Sequence, residues 1–198
     1  MIMSTLTLDG LDPGRVAASL ALPVSAATRS RLLATPRLAP RLLGLIAAHD
    51  GLTPWQDELI DPAQRWLMRL DQAGLRHAGL AAGALWHARS VRAMIMARPR
   101  TQLVEALGEA IYGLAVAHVE LAAEESVIAE PETLLAAIER DGIRCLAAWS
   151  EVLPAPAVPW FRLKLPEDAP PPEERHRIHG LLVIACIREQ LPIGEGAP

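Results

Sequence analysis

Residues 75–121 constrain the fold more than any other stretch of this 198-residue chain. The first part of that stretch, residues 75–97, is long enough for a helix of about 35 Å at about 1.5 Å per residue. Steps of three and four residues define one face of the helix, which consists of Leu80, Ala84, His87, Val91 and Ile95. A second apolar strip on nearly the opposite side consists of Leu75, Ala82, Trp86 and Ala93. Because a helix that is apolar on two sides must be covered on two sides, we predict that it lies in the middle of a domain and that Trp86 is buried.

The composition favours helices over sheets. Hydrophobic residues make up 51% of the chain but aromatic residues only 4%, and alanine and leucine do most of the filling. A chain of this length suits one domain with a sizeable core. We therefore predict a mainly α-helical, single compact domain over residues 1–198. It would comprise an N-terminal helical part (1–74), a central helical scaffold (75–122), and C-terminal helices with a strand (131–191).

Two short segments alternate in the manner of β-strands. Residues 5–8 predict a short N-terminal strand that ends at the turn Asp9-Gly10. Residues 160–165, with the sequence WFRLKL, predict a second strand with one apolar and one polar face. The last predicted helix, at residues 173–191, contains the run GLLVIACI, which is apolar all round and predicts burial.

Proline and glycine predict where helices begin and end. Asp12-Pro13 and Asp61-Pro62 each combine a capping aspartate with proline at the first helical position. The central helix is predicted to break at Pro99, since the residue before a proline avoids helical geometry. Gly108 is predicted to separate the two helices that follow.

Small residues predict how the central helix packs. Gly79 and Gly83 form a small-xxx-small pair, which predicts the close approach of another helix. A helix beginning at Pro131 carries an apolar stripe at steps of three and four residues, which consists of Leu135, Ile138, Gly142, Cys145 and Trp149. We predict that this helix and the last one cover the central scaffold.

Charge is distributed unevenly along the chain. Residues 1–100 hold twelve arginines and seven acidic residues, whereas residues 101–198 hold seven basic and sixteen acidic residues. Such a split indicates either two contact surfaces of opposite sign or two ordinary solvated faces. The candidate protein-interaction residues are Arg76, Arg89, Arg92, Arg98, Arg100, Glu124 and Glu125.

Histidines offer an alternative, enzymatic function. His49-Asp50 is similar to the metal-binding pair of the all-helical His-Asp phosphohydrolases, and His176 and His179 are spaced to share a metal-binding helix face. A metal-dependent phosphohydrolase built on these four residues is therefore one alternative. An Arg-rich nucleic-acid-binding module is another, although the arginines lack interleaved exposed aromatic residues.

The remaining polar residues predict no chemistry. Cys145 and Cys186 follow no metal or redox spacing and predict buried, reduced thiols. His87 and His118 lie on apolar faces and predict core histidines. The N-terminus does not read as a secretory signal, and no run approaches the roughly 20 apolar residues of a membrane helix. We therefore predict a cytosolic protein with no catalytic residue, metal or cofactor.

Two blocks of the sequence carry a further pattern. Residues 75–121, LRHAGLAAGALWHARSVRAMIMARPRTQLVEALGEAIYGLAVAHVEL, combine a Leu- and Gly-rich helix, a basic turn and a helix that ends near Ala117-His118. In residues 141–166, DGIRCLAAWSEVLPAPAVPWFRLKLP, an Ala-rich helix end leads through prolines to a Leu-x-Leu-Pro strand. With the opening LTLDGLDPGRV, this order of features resembles the K component of the type III secretion sorting platform, the SctK family.

The resemblance implies a non-enzymatic cytosolic adaptor, peripheral at the cytoplasmic face of the inner-membrane injectisome base. Such proteins link the cytoplasmic domain of the D component of the inner-membrane ring to the Q component of the cytosolic pods. These two proteins are thus the expected partners, with no nucleic acid and no direct membrane insertion.

Overall fold

The computed structural model describes residues 8–20, 25–33, 35–53 and 60–191, and the mainly α-helical class is confirmed. The helices are α1 (Pro13–Leu20), α2 (Ala26–Leu33), α3 (Ala39–His49), α4 (Pro62–Arg69), α5 (Gln72–Trp86), α6 (Ala88–Ala93), α7 (Ala97–Leu107), α8 (Glu109–Ala117), α9 (Pro131–Ser150), α10 (Ala157–Arg162) and α11 (Glu174–Gln190). The predicted helix starts at Pro13, Pro62 and Pro131 are confirmed. At α1, the side chain of Asp12 accepts a hydrogen bond from the N–H of Arg15 at 2.9 Å, as an N-cap does.

The chain forms two compact units. Unit 1 comprises Met1–Leu75 with Ser150–Asp168, and unit 2 comprises Arg76–Trp149 with Ala169–Pro198. The division of the chain into one domain with three successive parts stays a prediction.

Unit 1 places residues 160–165 in a helix and a turn, so the predicted strand is wrong. Helix α10 covers Trp160 to Arg162, and Leu163 to Leu165 form the following turn. A strand with one solvent-exposed polar face would expose Lys164. This residue is instead 1% exposed, and its Nζ donates to the carbonyls of Met68 at 2.8 Å and Leu70 at 2.5 Å. Because these carbonyls lie at the end of α4, Lys164 acts as a buried C-terminal cap.

The N-terminal strand predicted at residues 5–8 falls mostly outside the described residues. Leu8, its last residue, opens a 3-10 turn, Leu8–Gly10. No strand occurs at residues 8–20, 25–33, 35–53 or 60–191.

Side-chain hydrogen bonds to the backbone hold residues 150–168 within unit 1. Trp160 donates from its indole nitrogen to the carbonyl of Thr53 at 3.0 Å. Arg15 donates from Nε to the carbonyl of Leu165 at 2.8 Å, and Gln72 donates to the carbonyl of Lys164 at 2.9 Å. Each bond satisfies a carbonyl far away in sequence, so these three hydrogen bonds connect the segment to residues 15, 53 and 72 of the same unit.

In unit 2 the predicted central helix is interrupted twice. Helix α5 ends at Trp86, His87 forms a turn, and α6 runs only from Ala88 to Ala93. The second interruption lies at residues 94–96, before Pro99 and not at it. Pro99 instead falls in the first turn of α7, where a missing N–H costs little. Gly108, with a φ of 81°, separates α7 from α8 as predicted.

Helices α5 and α9 touch through their backbones, which confirms the close packing predicted from Gly79 and Gly83. A Cβ at Gly83 would lie 1.8 Å from the carbonyl oxygen of Ile138. A Cβ at Gly142 would lie 2.0 Å from the carbonyl oxygen of Gly79. Only glycine allows this approach, and Ile138 beside it is fully buried.

Helix α11 is covered on one side only, so its predicted complete burial is wrong. Val183, Ile184 and Ile187 are buried, and Gly180 lies against Cys145 of α9. Leu182 is nevertheless 56% exposed. The run is apolar all round, but the described residues cover a single face of it.

Candidate functional site

A buried carboxylate, Asp141 of α9, lies at the centre of the polar residues in unit 2. Asp141 is 1% exposed, and one of its oxygens lies 2.9 Å from Nε2 of His87. Arg140 donates to it at 2.9 Å and Arg144 at 3.1 Å. Nε2 of His176 faces its other oxygen at 3.6 Å. The sequence patterns did not predict this role of Asp141, because its histidine neighbours lie 54 residues before it and 35 residues after it.

The neighbours of Asp141 keep it ionised. Burial by itself raises the pKa of this carboxyl group, but His176, His87 and Arg140 together outweigh burial and hold the pKa well below the ordinary aspartate value. The same contact raises the pKa of Arg140. A charge buried at this depth is stabilised only when such partners surround it.

His176 has a defined tautomer and a stacked ring. Its Nδ1 accepts the backbone N–H of Glu173 at 3.2 Å and so carries no proton, which leaves Nε2–H to face Asp141. Its ring stacks on Trp86 with the centroids 4.2 Å apart and the planes 4° from parallel. Trp86 is 1% exposed, which confirms its predicted burial. The first turn of α11 is therefore fixed by a capping box and an aromatic stack together.

The break in the central helix is stabilised by residues 123–124. The carbonyl of Trp86 accepts the N–H groups of Ala123 at 3.0 Å and of Glu124 at 3.2 Å. The side chain of Glu124 in turn accepts the N–H of Ser90, at the start of α6, at 3.0 Å. Glu124 thus satisfies a helix-terminal donor that the break leaves without an intrahelical partner.

His87 lies between the two buried carboxylates. Its side chain is 5% exposed, and its Nδ1 is 3.8 Å from Oε2 of Glu124, while its Nε2 contacts Asp141. Within the described part of the chain, neither Nδ1 of His87 nor Oε2 of Glu124 makes a hydrogen bond. The prediction that His87 is a core histidine is confirmed, but its surroundings are polar rather than apolar.

His118 was predicted to lie in the core, and this is wrong. Helix α8 ends at Ala117, so His118 leaves the buried face at the helix end. Its side chain is 29% exposed, and its Nδ1 pairs with Glu120 at 2.9 Å.

The seven candidate interaction residues all lie in unit 2, but they differ in accessibility. Arg76 on α5 and Arg92 on α6 are exposed, as is Arg98 on α7. Arg100 is also exposed and lies over the ring of Tyr112, 5.6 Å from its centroid.

The other three candidates take part in contacts within unit 2. Arg89 donates to the backbone carbonyl of Glu124, and its Nε is 3.5 Å from the Glu124 carboxylate. Glu124 is only 4% exposed and belongs to the interior. Glu125 is exposed and pairs with Arg175 at 2.9 Å.

The residues of the hydrolase alternative are divided between the units. His49 and Asp50 of unit 1 form an exposed pair at 2.8 Å. In unit 2, His176 is buried, whereas His179 is exposed and meets the ring of Trp86 edge-on, with the centroids 6.5 Å apart. Across residues 8–20, 25–33, 35–53 and 60–191, no three His, Cys, Asp or Glu side chains are grouped to hold a metal ion.

Cys145 and Cys186 are both free thiols. Cys145 is buried as predicted, whereas Cys186 is only partly covered. Burial, with a contribution from Asp141, raises the pKa of Cys145, so this thiol stays protonated and unreactive.

Among the described helices, none has the length and apolarity needed to cross a membrane.

Comparison with known proteins finds relatives along most of the chain. The nodulation protein NolU of Rhizobium fredii is 34% identical over 192 residues, an alignment that covers 91% of this chain and 84% of the relative. The nodulation protein NolU of Sinorhizobium fredii (strain NBRC 101917 / NGR234) matches with the same identity and coverage. No family model and no solved structure matches the chain.

Proposed function

This chain belongs to the NolU family of nodulation proteins, and on that premise we propose that it is a non-enzymatic adaptor of a type III secretion sorting platform. It would link the cytoplasmic domain of the inner-membrane ring D component to the Q component of the cytosolic pods. Its place would be cytoplasmic, peripheral at the inner-membrane base of the injectisome. We further propose that the protein has no catalytic residue, binds no cofactor or nucleic acid, and does not insert into the membrane.

The family relationship carries this proposal. Identity of 34% over 91% of the chain, which includes both blocks that resemble the SctK family, relates it to proteins named for nodulation. A relation to nodulation proteins of rhizobia is consistent with a protein linked to type III secretion. The resemblance to the K component supplies the finer role of adaptor.

The geometry of unit 2 suits an adaptor. Inside the fold, Asp141 contacts His87 and His176, and Glu124 accepts a hydrogen bond from Ser90. These contacts connect α6, α9 and α11 and leave the surface to other residues. An adaptor must hold two contact surfaces in a fixed relation, and buried hydrogen bonds between elements, such as that between Asp141 and His87, favour rigidity of this kind. The exposed arginines on α5, α6 and α7 are then available to a partner.

Binding to the two expected partners tests the proposal. The full chain would be mixed with the purified Q component and, separately, with the cytoplasmic domain of the D component encoded in the same gene cluster. We expect saturable binding to at least one of them by isothermal titration calorimetry. A control with Trp86→Ala, which should loosen unit 2, shows whether binding requires the folded scaffold.

A lack of binding would contradict the proposal if the protein is shown to be folded. Wild-type protein with a cooperative unfolding transition that binds neither component would overturn the adaptor proposal. Hydrolysis of a phosphate ester by purified, metal-loaded protein would overturn its non-enzymatic part.

A further inference from the structure

Two exposed apolar side chains lie between α6 and α7. Ile95 is 82% exposed and Met96 is 73% exposed, the two highest values among the large hydrophobic residues that the structure describes. The sequence pattern predicted Ile95 on a buried helix face, and the end of α6 at Ala93 removes it from that face. An apolar side chain that stays in water lacks the favourable free energy of burial, which is about 0.8 kcal/mol per CH₂ group. Single exposed apolar residues are ordinary, whereas this adjacent pair forms a small apolar patch that a partner could cover.

Arginines flank this pair on both sides. Arg92 lies three residues before Ile95 and Arg98 lies two residues after Met96, and both are exposed. Neither forms an ion pair or a side-chain hydrogen bond with any residue that the structure describes. The sequence contains no acidic residue between Gln72 and Val104. We refer to residues 92–98 as the arginine-flanked segment.

No acidic side chain in the described part of the chain pairs with the arginines of this segment. Arg89, one helical turn before Arg92, is held by the buried carboxylate of Glu124. Arg92 and Arg98 have no such counterpart among the residues that the structure describes, so the segment keeps a positive potential that attracts negative groups. The nearest acidic residue after it in sequence is Glu105, two turns and about 10 Å along α7 from Arg98.

A second copy of this chain is a poor occupant of the segment. A two-fold contact brings the same surface of both copies together. Arg92 and Arg98 of one copy would then face the same arginines of the other, and like charges in contact oppose association.

An anionic bilayer is also a poor binding partner for the segment. Ile95 and Met96 together would insert fewer carbon atoms than one myristoyl chain, which alone gives only marginal and reversible membrane binding. Two arginines near an anionic surface add about 1 kcal/mol each. In contrast, methionine and arginine are enriched in protein interfaces, and a guanidinium group binds a carboxylate through two parallel hydrogen bonds.

We infer that the arginine-flanked segment is a docking surface for the acidic face of a protein partner, with Ile95 and Met96 entering an apolar pocket between carboxylates that pair with Arg92 and Arg98. This inference deepens the proposed function and rests on it. The partner is the platform component, D or Q, whose binding the adaptor role requires.

Two variants separate the apolar from the charged part of the surface. One carries Ile95→Ser with Met96→Ser, and the other carries Arg92→Glu with Arg98→Glu. The control carries Leu45→Ser with Arg41→Glu, which alters an exposed leucine and an exposed arginine on α3 of unit 1. The probes are the Q component, the cytoplasmic domain of the D component, and vesicles that contain phosphatidylglycerol.

The expected result is a loss of binding to one component in both site variants. The serine variant should bind roughly 30-fold more weakly, as for a hot-spot residue. The glutamate variant should associate more slowly and show a weaker dependence on salt. The control should bind like the wild type, and all three variants should keep the wild-type unfolding midpoint within a few degrees.

The other outcomes overturn the inference in distinguishable ways. Unchanged binding of D and Q by both site variants would contradict the inferred docking surface but not the adaptor role. Wild-type protein that binds neither component would overturn the adaptor role and the inference with it. Wild-type binding to phosphatidylglycerol vesicles alone, abolished in both site variants, would replace the protein partner with a bilayer.

Discussion

Unit 2 contains two groups of arginines in opposite electrostatic surroundings. The first belongs to the Asp141 cluster, which consists of Asp141, its neighbours His87, Arg140, Arg144 and His176, and Trp86 stacked on His176. The second belongs to the arginine-flanked segment. Arg140 and Arg144 approach a carboxylate that is 1% exposed, whereas Arg92 and Arg98 reach no acidic residue in the described chain. The difference follows from position on the helices. Arg140 and Arg144 lie on α9 together with Asp141 and can reach its carboxylate. Arg92 and Arg98 lie on either side of residues 94–96, between α6 and α7, and are exposed to solvent. Charge inside the cluster therefore serves stability, and charge at the segment is available for binding.

The largest effect on stability is expected at the aromatic stack of the cluster. Trp86→Ala should lower the free energy of unfolding by about 3–5 kcal/mol, because it removes a fully buried indole and leaves a cavity against His176. Urea unfolding followed by circular dichroism measures the change. A loss below about 1 kcal/mol would mean that the interior collapses around the gap and that the stack contributes little.

Asp141→Asn should cost about 3 kcal/mol at neutral pH, since it removes the charge that faces His87, His176 and two arginines. The folded-state pKa of Asp141 is depressed, so its contribution is complete above the ordinary aspartate pKa of about 3.9. As pH falls below that value, the unfolded chain binds the proton first and the contribution is lost.

The variant should therefore have a flatter decline of stability between neutral pH and acid than the wild type. Urea titrations at a series of pH values measure the decline. Asp168→Asn, at an exposed aspartate, is the control and should retain the wild-type slope. Parallel curves for wild type and Asp141→Asn would show that the cluster does not depend on this charge.

Gly142→Ala tests whether the cluster depends on close helix contact. Its new methyl group would meet the carbonyl oxygen of Gly79, so α5 and α9 must separate at a cost of about 1–3 kcal/mol. At Gly113 on α8 an added Cβ would meet no described atom within 4 Å beyond the neighbouring backbone of its own helix, so Gly113→Ala should instead stabilise the protein by about 0.5–1 kcal/mol. Thermal melts of the two variants should shift in opposite directions, and shifts of the same sign would contradict the backbone contact.

The smallest effect is expected at the arginine-flanked segment. Arg92→Ala should change stability by no more than about 0.5 kcal/mol, because the side chain is exposed and pairs with none of the described residues. Arg89→Ala, three residues away, should cost about 1–2 kcal/mol because it removes a charged contact to buried Glu124. Equal losses in the two variants would erase the distinction between the regions.

Local patterns predicted much of the helical framework. Asp12-Pro13 and Asp61-Pro62 act within a few residues of the helix starts that they predict, and the structure confirms both starts. Gly79 and Gly83 predicted a close helix contact because only the lack of a side chain allows one. Each of these features depends on the residue itself and its immediate neighbours.

Features set by distant contacts were not predictable in this way. The periodicity of residues 75–97 gives no sign of the break at His87, which is stabilised by N–H groups from residues 123–124. Residues 160–165 alternate like a strand, but on the predicted polar face Trp160 and Lys164 are buried, and Lys164 reaches the end of α4. Asp141 was missed for the same reason, although its flanking Arg140 and Arg144 were a local signal of a shared carboxylate.

The burial of Lys164 has a practical consequence, since it is the sole lysine among the 198 residues. Its amine is enclosed by the carbonyls of Met68 and Leu70, so side-chain acylation and cleavage by a lysine-specific protease both require that unit 1 opens. The rate of either reaction therefore reports the opening of that unit at a single chemical position. A chain with many surface lysines would mask this signal.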